Sequence, residues 1–287
     1  MKIRSALFSM VLVVVGATGF AQTVWSGGLL TSSDSYYTIT GTAELGFVNV
    51  LNNTIKIGDT GSNFNYVTQG GQDILFPYSR YTLDLSLAQR HHVIFLYQPL
   101  LLETQTVARQ AFTIDGTTFA QGTPVNVTYS FPFWRISYLY DFVRNKNWIV
   151  GAGASLQLRN ASIRFESGDG TQLTVGQNLG IVPIIKLHAR FQTDGGFFVQ
   201  STADGFYASS AFFNGAQYQF EGSILDASLQ AGVALTRGAE AFLGVRFIGG
   251  TSNGNSKNAG SNWTDNVSTF TDNRLATLAV TLGASIH

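Results

Sequence analysis

From Arg80 to Ala88 the chain alternates without a break: Tyr81, Leu83, Leu85 and Leu87 fall on one side, Arg80, Thr82, Asp84, Ser86 and Ala88 on the other. A period of two belongs to a strand with one apolar and one polar face, and a helix cannot present it. The same alternation returns at 185–191, at 225–235 and at 277–286. Ten such segments are read, at 37–50, 74–88, 91–104, 126–142, 148–166, 180–192, 197–205, 219–235, 239–250 and 270–286.

The connections between them alternate in length. Short ones fall at Gln89-Arg90, 144–147, 193–196 and 236–238, and long ones near 51–73, 105–125, 167–179, 206–218 and 251–269. The long ones are rich in Gly, Asn, Ser and Thr, which favour turns and irregular backbone. No linker or shift in composition divides the chain, so one domain is expected over 37–287.

What the polar faces carry decides between a sandwich and a barrel. Only 12% of the 287 residues are charged, roughly half the share of a soluble globular domain. These charges stand singly among Gly, Ser, Thr and Ala, as in a narrow lumen filled by side chains. The opposite faces are Leu, Val, Ile, Phe, Tyr and Ala, which suit hydrocarbon. In lipid no backbone group goes unpaired, so such a sheet closes on itself. The pattern predicts an all-β fold: a closed antiparallel up-and-down transmembrane β-barrel of about ten strands, with eight or twelve also compatible. Tyr78, Tyr81, Trp134, Tyr138, Tyr140 and Trp148 are expected as interface aromatics, and Phe197 and Phe198 lie near a strand end as well. In the 148–166 segment the apolar residues change phase after Arg159. A bulge at Asn160-Ala161 would explain this, as would a strand that rises above the bilayer.

The N-terminus supplies the compartment. Lys2 and Arg4 precede an apolar run from Ala6 to Val15, and Gly19 and Ala21 follow at the spacing of a cleavage site. This reads as a secretory signal peptide over 1–21, leaving 22–36 as an N-terminal periplasmic segment. No Cys follows the site, so it is not a lipoprotein signal. The expected location is the outer membrane of a Gram-negative cell. The expected partners are its lipid and lipopolysaccharide, with the barrel-assembly machinery during insertion. The absence of Cys excludes a disulfide scaffold and a thiolate metal site, and 17 basic against 17 acidic residues argues against nucleic acid as a partner. No cofactor and no metal are expected.

Phe133-Trp134-Arg135-Ile136-Ser137-Tyr138-Leu139-Tyr140, then Leu156 to Ile163, Val182-Pro183-Ile184-Ile185 and Ala203-Asp204-Gly205 resemble a group of small bacterial outer-membrane β-barrel proteins. The resemblance covers about the second half of the chain. It implies a fold and a location and no particular activity. The chain departs from the group at its end, Ser285-Ile286-His287, where such barrels usually carry an aromatic assembly signal.

If the alternation holds, the lumen receives Glu44, Arg80, Asp84, Arg135, Asp141, Arg159, Lys186, His188, Arg190, Asp204, Asp226 and Arg246. Mixed signs in similar numbers are what a filled interior needs, because a buried charge is costly unless paired. Counting back from the short turns sets Lys186 near Asp204, and Asp226 near Ile248 with Arg246 on the diagonal. The leading expectation is a structural or surface-interaction barrel with its loops outside the cell. The alternatives are a narrow channel for small solutes and a hydrolase acting on lipid A, phospholipid or peptide. In the hydrolase reading His188 is the general base, oriented by Asp226 or Asp204. His91 and His92 are placed at a periplasmic turn, and no catalytic residue is assigned.

Overall fold

A computed structural model describes residues 36–58, 60–210, 220–256 and 269–287. The signal segment, nearly all of 22–36 and parts of the predicted loops 206–218 and 251–269 lie outside the described residues.

The strands run β1 (Tyr37–Ile57), β2 (Phe64–Asn65), β3 (Leu75–Leu87), β4 (His91–Gln98), β5 (Leu101–Val107), β6 (Phe112–Ile114), β7 (Thr117–Phe119), β8 (Pro124–Ser130), β9 (Phe133–Arg144), β10 (Trp148–Ser167), β11 (Leu173–Gln192), β12 (Phe197–Ser209), β13 (Phe220–Thr236), β14 (Ala239–Ser256) and β15 (Thr269–Ile286). Ten of them form a closed antiparallel barrel in the order β1-β3-β4-β9-β10-β11-β12-β13-β14-β15. The ring shuts where β15 pairs with β1, from Gly41 opposite Ile286 to Ile57 opposite Thr271. An even number of strands brings both ends of the described barrel to the rim that carries the short turns, here the turn end. The longer connections gather at the opposite loop end.

Alternation sets the wall. Leu83, Phe95, Ile136, Leu156, Ile185, Leu229, Leu243 and Val280 all point outward and are exposed. Their even neighbours in β3, or odd neighbours in β10, turn inward. A continuous apolar outer wall of this kind is stable against hydrocarbon and would be an aggregation surface in water. Tyr81, Tyr97 and Trp134 sit opposite one another on this wall, with the last two stacked at 5.3 Å. Tyr138, Tyr140 and Trp148 are exposed nearer the turn end.

Two strands are each built from two pieces. Pro99-Leu100 separates β4 from β5, and Phe131-Pro132 separates β8 from β9. Proline has no N–H for a ladder, so each break falls where the sequence removes a donor. Beyond the breaks, β5 pairs with β8 and β8 with the loop-end half of β10. There β3 has not yet begun, and the segment between β1 and β3 takes its place. Thr104 and Thr106 donate to the carbonyls of Gly70 and Gln69, and Asn53 donates to Gln72 at 2.9 Å.

This segment and the β6–β7 hairpin close over an apolar core inside the loop-end half. Phe64 meets Phe165 edge-on at 4.9 Å, Phe112 stacks on Phe119 at 5.1 Å, and Tyr66 meets Tyr129 at 5.6 Å. The lumen is therefore filled by polar groups in its turn-end half and by rings in its loop-end half.

Several expectations change. The stretch 167–179 is no long loop: β11 begins at Leu173 and runs in unbroken register with β10. That unbroken register also removes the bulge expected at Asn160-Ala161. Ile163 and Phe165 stay on the inward side that Gln157 occupies lower down, and only the character of the interior changes. The irregularity of β10 lies elsewhere, in its pairing with β9, where Val150 and Gly151 face Val143 and Asp141. The stretch 105–125 holds the hairpin, and β1 reaches Ile57, beyond the predicted 50. Tyr78 is not an interface aromatic. It is 4% exposed and points into the lumen, because it shares the parity of Arg80. Phe198 is buried for the same reason, on the inward side of β12.

Candidate functional site

The polar half of the lumen is organised as a layer to which every barrel strand contributes. Around the ring the contributors are Glu44, Arg80, Gln98, Arg135, Gln157, Lys186, Asp204, Asp226, Arg246 and Thr281. Each sits on the inward parity of its strand, and the register brings them to one level.

Asp204 and Asp226 stand directly opposite each other on β12 and β13, an arrangement of like charges that by itself repels. Arg135 reaches across the lumen from β9 and resolves it. Its Nη1 lies 2.8 Å from Asp204 Oδ2 and 3.1 Å from Asp226 Oδ2, while Nε and Nη2 both donate to Gln157 Oε1. Lys186 donates to both oxygens of Asp204 at 3.1 Å. Arg80 donates to Asp226 at 3.0 Å and to Gln98 at 2.7 Å, and Tyr78 donates to the same Gln98 oxygen. Arg246 spans Asp226 at 2.8 Å and Glu44 at 3.0 Å, and Thr281 donates to Glu44. Four cations thus face three carboxylates, and every one of these charged side chains is at most 8% exposed. In so dry a place each charge depends on its partners.

A second, more open set lies at the turn end. His92 bridges Asp84 at 3.0 Å and Asp141 at 3.1 Å, and Arg144 also reaches Asp141 at 2.9 Å. Arg190 makes a two-pronged pair with Glu240 at 2.6 and 3.0 Å and lies 3.9 Å above the Phe198 ring. His188 faces the interior near Asp141, which lies within electrostatic reach of both His188 and His92. Arg159 lies higher, against the aromatic half.

All twelve residues assigned to the lumen from the sequence thus point inward. Lys186 does oppose Asp204, Asp226 opposes Ile248, and Arg246 takes the diagonal. Sequence reasoning missed Gln98, Gln157, Glu240, Thr281 and His92. Gln157 and Glu240 share the inward parity of Arg159 and Arg246, and Thr281 lies on the polar face of its strand, so counting faces would have found them; Gln98 stands in a strand that is apolar on both faces, where no such count is possible. His92 is no turn residue: it stands in β4 beside the same carboxylate that His188 senses. The geometry proposed for a His188 base is not present. Asp226 is taken up by three arginines and Asp204 by Arg135 and Lys186. Nδ1 of His188 has no hydrogen-bond partner among the described residues. Among these residues no group of three or more His, Asp or Glu is placed to hold a metal ion.

No family model and no curated protein matches the chain. Solved structures similar to it are bacterial outer-membrane β-barrel proteins. The outer-membrane protease OmpT of Escherichia coli is 11% identical, with a TM-score of 0.47 over 90% of this chain and 99% of that one. A FadL homologue of Pseudomonas aeruginosa is 8% identical, with a TM-score of 0.38 over 86% and 90%. Ail, the attachment invasion locus protein of Yersinia pestis, is 9% identical, with a TM-score of 0.34 over 86% and 99%.

Proposed function

We propose that this chain is an integral outer-membrane barrel whose lumen is closed to free diffusion and whose role is structural or surface-interacting, carried by the loop end outside the cell. One observation carries the reading. The charged layer takes a side chain from every strand of the ring, and its charged members are almost fully buried. A water-filled pore through that level would leave them wet. The near balance of four cations and three carboxylates also gives no strong preference for one sign of ion.

The apolar outer wall and the signal-like N-terminus support the membrane and the compartment. Outer-membrane lipid and lipopolysaccharide are then the natural surroundings of the barrel, and the barrel-assembly machinery its insertion partner. The chain is not proposed as an enzyme: Asp204 and Asp226, the carboxylates expected to orient His188, are committed to cations. Planar-bilayer recording of the purified protein tests the closed lumen. No unitary conductance steps are expected, and reproducible steps would replace this reading with the narrow channel.

A further inference from the structure

The wall of the barrel is not stitched along its whole height. The ladder between β11 and β12 runs from Gln192 opposite Phe198 to Ile185 opposite Gly205 and stops there. β11 continues for a further twelve residues, to Leu173, paired with β10 on its other side. Among the described residues no strand pairs with the remaining edge of that stretch. Pro183, which brings no N–H, sits two residues beyond the last pair, a position typical of a strand edge. Where the stretch begins, the outward side chains are Pro183, Ile181 and Leu179, and Ile181 is 71% exposed, so the seam opens at apolar depth. An unpaired backbone edge is very costly in hydrocarbon unless it lines a cavity that holds water or a guest.

Such a cavity is present. A space of about 310 Å³ lies inside the loop-end half, between the aromatic core and β11 to β15. It is bounded on both sides of the seam, by Val182 and Pro183 of β11 and by Phe206 and Ala208 of β12. Small residues leave it open: Gly176, Gly180, Ala161 and Gly222 face it, and a Cβ on Gly176 would have only Ile57 Cδ1 near it, at 3.8 Å. Its lining is mixed: Ile224, Ile248 and Leu275 supply apolar walls, and Arg159 and Asn273 are polar points, joined by Asp115, Ser252 and Thr271. Oδ1 of Asn273 is buried with no hydrogen-bond partner among the described residues. Apolar walls with a few placed polar groups are the make-up of a small-molecule site.

We infer that this cavity binds one small apolar molecule bearing a single hydroxyl group, and that the molecule enters from the bilayer through the seam between β11 and β12. The apolar body fills the space between Val182, Phe206, Ile224 and Ile248, and the polar end donates to Asn273 Oδ1. The charged layer beneath closes the way to the turn end, so the site is a side pocket of the membrane and not a stage in a pore. The inference rests on the barrel standing in a bilayer, as proposed above.

The test uses the full folded protein in lipid nanodiscs, with 1-naphthol as the probe and empty nanodiscs as the background. Failure of the protein to enter the discs would defeat the membrane reading itself. Once it is inserted, saturable binding of one 1-naphthol per chain is expected, with naphthalene about fivefold weaker for lack of the hydroxyl. Gly176→Phe fills the cavity and should abolish saturable binding. Ala161→Leu, a milder filling, should weaken it at least several-fold, with each variant's fold checked by gel mobility. The chain has no cysteine, so Val182→Cys with Ala208→Cys gives a single site for a cross-link over the seam. The linked species should take up 1-naphthol at least tenfold more slowly than the same protein after reduction. No saturable binding, or binding unchanged in both filled variants, would overturn the site. Equal affinity for naphthalene would overturn the polar contact, and equal uptake by linked and reduced protein would overturn the lateral route.

Discussion

Arg135 holds together what would otherwise repel. It is the shared cation of two carboxylates that face each other across β12 and β13, and its side chain is fully buried. Arg135→Ala would leave that pair short of charge in a dry interior, a loss of about 3–5 kcal/mol, read as a lower midpoint of heat or urea unfolding in detergent. Lys146→Ala breaks the equally short Lys146–Asp194 pair at 2.7 Å, but that pair is 73% and 70% exposed, so a change below about 1 kcal/mol is expected. Equal effects would show that distance, not burial, governs these pairs. Asp169, in the turn between β10 and β11, accepts from Ser167 Oγ at 2.6 Å and from the amide and hydroxyl of Thr171. The Ser167 hydroxyl, followed by the Thr171 donors, brings its pKa down to about 2. A lowered pKa means that these bonds act fully above the unfolded value of about 3.9 and fade as pH falls through about 2. NMR titration of the Asp169 carboxyl should show that midpoint, and Ser167→Ala should raise it. At this scale the sequence was informative wherever two residues flank one short turn. Lys186 and Asp204 could be paired by counting, whereas Arg135 and Asp204 meet across the lumen from β9 and β12, at a distance along the chain that no local count can bridge.

β10 shows how far alternation carries and where it fails. Its inward residues run from Ser155 and Gln157 through Arg159 to Ile163 and Phe165 without a change of face. What looked like a slip of phase is a change of medium: the lumen is polar near the turn end and aromatic near the loop end. Periodicity reports which side a residue occupies but not what fills that side. The expected interior was polar throughout, so the core built on Phe64, Tyr66, Phe112, Phe119 and Phe165 went unread, and Tyr78 was set on the outer wall. Phe165 is fully buried and touches Phe64, Tyr66, Phe112 and Phe119. Phe165→Ala should cost about 3–5 kcal/mol, and the loss should fall on the parts this core holds down. Limited proteolysis is expected to cut between β5 and β8 faster in the variant, while the barrel itself remains protected. Cleavage at an unchanged rate would mean that the hairpin is held by something other than this core.

At the scale of the whole molecule, few charges and a closed sheet are one fact. The lipid-facing band of the outer wall carries almost none, the outward Arg164, Glu166 and Arg274 lying towards the loop end, and those in the interior nearly cancel because they face one another. The count of about ten strands and their antiparallel order followed from alternation and turn length, since each is local. The open seam between β11 and β12 did not, because β11 alternates as regularly above Ile185 as below it. The claim on which the rest depends is that this is a closed barrel in a membrane, and gel mobility of the detergent-extracted membrane fraction tests it most directly. A closed barrel should resist the gel detergent until boiled, so the unheated protein should run faster than the heated one and be found in the outer-membrane fraction. A chain that stays soluble without detergent and migrates identically before and after boiling would contradict the account.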